Sequence, residues 1–322
     1  MLYPLKFEPV YKNMIWGGRN IEKKFKRYIP EGTIGESWEV CCRSDGMSVI
    51  SNGYLKDSTL SSVIDKYKEH LLGTRVYNTS YKVFPLLIKI IDANDNLSVQ
   101  VHPDDEYAFK KSGENGKTEM WYVIDAKPGA KLVYGLKNNI TKHDFTKAIS
   151  NNNIENTLNE VEVHKGDVFY IPAGTVHAIL DGILIAEIQQ NSNTTYRVSD
   201  WNRVDSSGKS RELHLCNALE VINFNSMGIF VPDDTIYDFG TYKLKTLSKN
   251  AYFTTEEILL NGKYRAVTDN FSFFIYMVIE GYGQIKYNDG IENISSGDTI
   301  MIPATLGNYE IIGEMKLLKV YV

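Results

Sequence analysis

The segment Gly166-Asp167-Val168-Phe169-Tyr170-Ile171-Pro172-Ala173-Gly174-Thr175-Val176-His177 constrains this chain more than any other. Val168 to Ile171 are β-formers held between a Gly-Asp pair and a Pro-Ala-Gly corner. That reads as a strand, a tight turn and a second strand opening on a histidine. The first part returns as Gly297-Asp298-Thr299-Ile300-Met301-Ile302-Pro303-Ala304, at an offset of 131 residues. Continuing the alignment places Asn308 opposite His177, and Val278-Ile279-Glu280-Gly281-Tyr282-Gly283 reads as the strand and turn that lead into such a corner. A corner written twice predicts two related β-units, the second without its histidine. All six histidines lie at or before position 214, in keeping with that asymmetry.

A length of 322 residues fits roughly two domains, which we place at 1–230 and 231–322. A net charge of −5 with no long Lys/Arg block argues against a nucleic-acid partner. An anionic ligand must then meet a local basic cluster, since the overall field does not steer it in. Cys41 and Cys42 are adjacent and Cys216 is distant, a sparse odd set that suits a reducing cytoplasm. Residues 1–18 hold no apolar leader core, and no stretch approaches the roughly 20 apolar residues that span a bilayer. The expectation is a cytoplasmic protein with no membrane partner.

Periodicity outlines the elements. Residues 1–55 read as irregular strands with Gly-rich turns at Trp16-Gly17-Gly18 and Ile34-Gly35-Glu36. An amphipathic helix is predicted over 57–72, capped by Asp57 or Ser58. Val83 to Ile91 is an apolar run broken only by Pro85 and Lys89. A short helix is predicted over 104–112 and another from Thr141 to about Ser150, followed by a turn at 151–153. Strands are expected near 118–125, 130–134, 161–164, 167–171, 176–180 and 183–189, then a helix over 211–223. From about 230 onward short β-segments dominate.

Gln100 and His102 are two apart, so a strand there aims both side chains the same way. Glu119 follows 17 residues after His102, with Lys117 on its face, and His177 opens another strand. Two imidazoles, a carboxylate and an amide make a mixed N/O metal set with room for substrate. A zinc ion with one carboxylate ligand carries a formal charge of about +1, which favours a developing oxyanion. His102, Glu119 and His177 equally form the two-histidine, one-carboxylate triad of non-haem iron oxygenases. Ligands alone do not choose the reaction.

The Gly166–His177 pattern resembles the second motif of the cupin barrel. The strings Trp16-Gly17-Gly18, Gly35-Glu36-Ser37-Trp38-Glu39, Pro85-Leu86-Leu87-Ile88-Lys89, Leu97 to Asp104, Gly116 to Tyr122 and Pro172 to His177 occur in this order, with Glu187, Asn191 and Arg197 after them. Together they resemble the type I mannose-6-phosphate isomerases, in their short bacterial form, over about residues 1–220. The resemblance implies a mainly β protein: a cupin (jelly-roll) barrel catalytic domain with a few helices, plus a smaller C-terminal cupin-like β-domain lacking metal ligands. It implies interconversion of mannose 6-phosphate and fructose 6-phosphate with one zinc per chain. The ligands fall on Gln100, His102, Glu119 and His177, the phosphate-side residues on Ser98 and Lys89, the active-site Lys and Arg on Lys117 and Arg197, and a pocket-wall Trp on Trp16. One departure is Asp181, where the cupin pattern favours Asn, which puts a local turn in question. There is no room for the large helical insertion of long members.

An aldose–ketose isomerase moves a proton between neighbouring carbons through an enediol or enediolate. It needs a base, charge stabilisation and a grip on the phosphate. Lys89 sits in apolar surroundings where a phosphate dianion offsets its burial; the alternative is a lysine reaching the barrel rim. Lys117 stabilises the enediolate or shuttles the proton, against a plain Lys–Glu pair. Arg197 stays charged and suits anion stabilisation, against an ion pair with Asp200. Glu187 is either a partner for a ligand histidine or a proton-transfer group, so the base stays open. Trp16 is read as pocket wall, in a mobile turn, and Trp38 and Trp121 as core. The competing functions are an iron oxygenase, a catalytically silent sugar-phosphate-binding protein and an isomerase of another phosphosugar. The expected partner is a small phosphosugar, the chain a monomer or weak homo-oligomer, and the C-terminal domain a brace for the barrel.

Overall fold

The computed structural model describes residues 2–79, 84–204, 207–225, 234–288 and 290–322. The expected domain boundary at 230/231 and Val83, the start of the apolar run, lie outside the described residues.

Two antiparallel sheets carry the ligand residues. One runs Leu158–Glu162, Lys131–Leu136, His177–Ile179, Val99–Val101, Tyr196–Ser199. The other runs Val168–Ile171, Glu119–Ala126, Ile183–Gln190, Leu86–Ala93, Ile34–Val40, Val10–Gly18. Alternation of side chains divides the six-stranded sheet between two cores. Odd-numbered Ile91, Trp121, Val123 and Ile185 share one apolar cluster with Leu132 and Ile179 of the five-stranded sheet. Even-numbered Ile88, Ile90, Met120, Tyr122 and Ile188 pack the other way, against Met277, Met301 and Leu318. Burial on both faces is why Leu86–Ala93 and Ile183–Gln190 read as apolar runs. Lys89, Glu119 and Glu187 carry the inward parity.

A nine-stranded sheet holds the C-terminal region. Its strands are longer than the short segments expected: Thr254–Val267, Phe274–Tyr287 and Asn308–Tyr321 each run 14 residues. The repeated corner is a structural repeat. Gly166 N–H donates to Val123 O and Val123 N–H to Asp167 O; likewise Gly297 N–H donates to Val278 O and Val278 N–H to Asp298 O. Asp167 accepts from the His164 N–H and Asp298 from the Ser295 N–H, both at 2.8 Å. Gly166 and Gly297 hold φ of +94° and +93°, left-handed values that cost glycine little. The ladders set Ile171 against Glu119 and Ile302 against Phe274. Phe274 thus stands where Glu119 does, and an exposed Asn308 opens the strand that corresponds to the one opened by His177.

The chain's start is woven into this second unit, because Leu5–Glu8 pairs with Thr299–Ile302. Polar contacts cross the boundary too. Arg27 donates to Glu39 at 2.6 and 3.1 Å and to the Gly297 carbonyl at 3.1 Å. Tyr122 donates to Glu257 at 2.9 Å, and Tyr252 to Asp105 at 2.8 Å.

Three local expectations change. The predicted 57–72 helix is broken: Leu60–Tyr67 is capped by Thr59, which accepts from Ser62 N–H, and Lys68 at φ +50° turns the chain into Glu69–Leu72. Trp16-Gly17-Gly18 ends the strand Val10–Gly18 rather than turning, and Gly17 is needed for close approach, since a Cβ there would lie 2.4 Å from Gly35 N. The 211–223 helix shortens to Leu215–Val221. At the Asp181 turn, Asn96 accepts from the Asp181 N–H at 2.9 Å and the Asp181 carboxylate pairs with Lys127.

Candidate metal centre and its cavity

The fold brings His102, Glu119 and His177 together, each buried, with candidate ligand atoms within 4.8 Å of one another. Ladder pairing explains part of this, because His177 lies directly across from Gln100. His102 follows the strand Val99–Val101 by one residue, its carbonyl held by the Gly174 N–H at 2.8 Å. Each imidazole has its Nδ1 occupied: His102 donates to Thr194 O and His177 to Thr175 O, both at 2.9 Å. That leaves both Nε2 lone pairs facing Glu119, at 3.5 and 3.4 Å. Burial, then the charge of Lys117, keeps His102 well below the usual histidine range. Burial also pushes His177 down to about 4.

Glu119 shows that this cluster suits a cation. Neither of its buried carboxylate oxygens accepts a hydrogen bond from the described residues, although Lys117 Nζ lies 2.8 Å from Oε2. Burial first, then Glu187, pushes the carboxyl up to about 7. Two neutral imidazoles and an under-satisfied carboxylate are the donors that a divalent metal takes. Gln100 lies beside the set with its amide 3.4 Å from His177 Nε2, and Ser98 Oγ donates to Gln100 Oε1 at 3.4 Å. A half-turn of that amide exchanges its nitrogen for its oxygen.

A cavity of about 290 Å³ adjoins the cluster, lined by Trp16, Ser98, Gln100, Lys117, Glu187 and Arg197 among others. Lys117 Nζ donates to His102 Nε2 at 3.0 Å. Lys89 also lines it, but two carboxylates meet the charge that the sequence matched to a phosphate: Glu187 at 3.3 Å and Glu36 at 3.4 Å. Burial works against the Lys89 charge, and Glu36 and Glu187 outweigh it, holding its pKa above the lysine range. Glu187 partners no ligand histidine. Its Oε2 accepts from Trp121 Nε1 at 3.0 Å, and its buried Oε1 has no hydrogen-bond donor among the described residues. Burial raises the Glu187 pKa, but Lys117 and Lys89 overcome it, so this carboxylate stays ionised.

Arg197 faces the cavity as expected, from the strand opposite Gln100. It does not hydrogen-bond to Asp200, which instead holds Arg203 at 2.6 Å and Arg211 Nε at 2.8 Å. Arg197 donates to the Glu212 carbonyl, and its buried Nε has no hydrogen-bond partner among the described residues. Trp16 is 3 % exposed, so the wall it forms is a buried strand end, not a mobile turn. Trp38 is core, its Nε1 donating to Glu36 at 2.6 Å. Sequence reasoning assigned no role to Glu36 or Arg211, both of which line the cavity. Glu36 lies half-buried in the strand Ile34–Val40, whose other residues are all buried, and an acid in such a setting needs a partner.

Comparison with known proteins agrees with this arrangement. Residues 4–156 match the family profile of the phosphomannose isomerase type I catalytic domain, and residues 243–322 that of the mannose-6-phosphate isomerase cupin domain. The chain is 41% identical over 313 residues to mannose-6-phosphate isomerase ManA of Bacillus subtilis, covering 96% of each. It is 35% identical to a mannose-6-phosphate isomerase of Streptococcus mutans, covering 99% of this chain and 98% of that one. A crystal structure of the Bacillus subtilis mannose 6-phosphate isomerase superposes with a TM-score of 0.92 over the full length of both, at 34% identity. A mannose 6-phosphate isomerase solved with zinc and yttrium shares the fold, with a TM-score of 0.77 at 16% identity over 99% of each chain.

Proposed function

The chain belongs to the type I phosphomannose isomerase family and is a mannose-6-phosphate isomerase, and we propose that it interconverts this substrate with fructose 6-phosphate at a single zinc ion. The observation that carries the zinc is the buried cluster of Glu119 with two imidazole Nε2 atoms, its carboxylate met only by the Lys117 ammonium among the described residues. The zinc-bound relative of the same fold supports the choice of metal. Held by Gln100, His102, Glu119 and His177, the ion supplies Lewis acidity toward substrate oxygens.

The chain's own residues do the rest. Glu187 presents an ionised carboxylate to the cavity, its Oε1 3.3 Å from Lys89 Nζ, and takes the proton from the carbon next to the carbonyl. Trp121 and Lys89 fix its position from two sides. Lys117 and Arg197 set positive charge beside the enediolate oxygens, where charge develops. Trp16, Ser98 and Lys89 form the wall against which the sugar lies. No helix among the described residues is long and apolar enough to cross a membrane. We assign the enzyme to the cytoplasm because none of Cys41, Cys42 and Cys216 is in a disulfide.

The test is isomerisation of mannose 6-phosphate by chelator-stripped protein, with zinc, iron(II) or nothing added back. Restoration by zinc supports the assignment. Turnover that survives stripping, or returns only with iron(II), removes it.

A further inference from the structure

The two ends of the cavity carry different charged groups. At the buried end, Lys89 stands between Glu36 and Glu187, so this trio is net negative. At the other end, Arg197, Arg203 and Arg211 gather around Asp200, with half-exposed Asp95 as the second acid, 3.3 Å from Arg203. Three guanidiniums gather here around one buried carboxylate, Asp200, while Asp95 and Glu212 are exposed. Arg197 and Arg211 both line the cavity. Side-chain exposure orders the groups along it: Lys89 and Lys117 are 4 % and 5 % exposed, Arg211 29 %. The end that carries the arginines is therefore the outer one.

The reacting carbons and the phosphate lie at opposite ends of a six-carbon substrate. With the reacting end beside Lys117 and Glu187, the phosphate lies toward the outer end. A dianion set against Lys89 would also meet Glu36 and Glu187, whose repulsion cancels the attraction. We propose that Arg211 is a specificity-determining residue that binds the substrate phosphate, held in place by Asp200, and that Lys89 positions Glu187 instead. Asp200 takes Nε and one terminal nitrogen of Arg211, which fixes the plane of the guanidinium at the cavity wall. Burial and the nearby charge of Arg211 both lower the Arg197 pKa, the sign of a positive pair that an anion relieves. This inference rests on the phosphosugar-isomerase reading.

The experiment uses zinc-loaded full-length enzyme and its Arg211→Gln and Arg211→Lys variants. It measures KM and kcat for mannose 6-phosphate, turnover of unphosphorylated mannose, and the inhibition constant of inorganic phosphate. Losing one charge-assisted contact corresponds to roughly 10- to 100-fold in binding. Arg211→Gln is expected to raise KM and the phosphate inhibition constant by that range, with kcat and mannose turnover within about threefold of wild type. Arg211→Lys keeps the charge, loses the fork and falls between. It also serves if the glutamine variant does not fold. Unchanged phosphate inhibition in the folded variants overturns the proposal. So does an equal loss on both sugars, which marks Arg211 as structural. Wild-type enzyme that does not turn over mannose 6-phosphate removes the isomerase reading itself.

Discussion

Replacing Lys117 with methionine is expected to tighten zinc binding while abolishing turnover. The Lys117 ammonium sits 3.0 Å from His102 Nε2 and 2.8 Å from Glu119 Oε2, against two of the atoms that would hold the ion. A metal entering there must displace it from one lone pair and then tolerate its charge. Two unit positive charges about 4 Å apart repel by about 4 kcal/mol at an effective dielectric near 20. Withdrawal of the flexible side chain into the adjoining cavity leaves about 1–3 kcal/mol of this. The expected gain in zinc affinity is therefore about 5- to 150-fold. Methionine has similar length and no charge, so it removes the competition and leaves the packing largely intact. Zinc affinity is read by titration against a chromophoric chelator, and turnover at saturating zinc. A variant that binds zinc more tightly yet loses at least 100-fold in kcat places Lys117 in the chemistry. Weaker zinc binding in the variant would refute the reasoning, because it would mean that the ammonium organises the donors instead of competing for them.

Other outcomes follow from the same geometry. Tyr252 donates to Asp105, Asp105 accepts from Gly116 N–H at 2.8 Å and Gln190 Nε2 at 2.9 Å, and Gln190 accepts from Thr118 N–H at 2.9 Å. Tyr252→Phe is expected to lower kcat about three- to tenfold with little change in KM, because this chain aims Lys117 and Glu119; steady-state kinetics decide. Arg27→Met leaves Glu39, only 2 % exposed, without its main partner. The expected cost is about 3–5 kcal/mol in denaturant unfolding, mostly recovered in Arg27→Met/Glu39→Gln. In metal-free protein His177 stays neutral down to about 4, and His102 titrates well below its ordinary value, while the unfolded chain takes up protons near 6.5. The unfolded state then binds more protons in that window, so stability falls as pH drops from about 6.5 to 4. Thermal melts of stripped protein should show a steeper decline than those of His177→Gln, and equal slopes would count against the buried neutral imidazole.

The buried cluster of His102, Glu119 and His177 could be read from sequence because strand parity and one Gly/Pro corner fix where its residues point. Gln100 lies directly across a ladder from His177, so local rules sufficed. The partners of Lys89 depend instead on which strands become neighbours. Glu36 and Glu187 come from strands on either side of it, and no spacing in the chain announces that order. Arg211 is further from reach: it follows the last strand of the five-stranded sheet and is brought to the cavity through Asp200. The helix over 57–72 failed for a local reason, since its apolar spacing continues across Lys68 while the backbone does not.

The two copies of the corner separate what the fold needs from what the chemistry needs. Gly166 and Gly297 take the same left-handed backbone, and Asp167 and Asp298 accept the same backbone N–H three residues upstream. Those residues close a β-corner and serve both units alike. The ligand positions diverge freely: Phe274 replaces Glu119 and packs against the Tyr321 ring at 5.7 Å, and Asn308 faces solvent. A buried carboxylate and two buried imidazoles are costly unless a cation joins them. The second unit carries an aromatic ring at the position of Glu119 and so does not bear that cost there. What it retains is the packing of Met277, Met301 and Leu318 against the outer face of the catalytic sheet. Together with the Tyr252–Asp105 contact, that packing gives a unit without ligands a direct hold on the strand that carries Glu119.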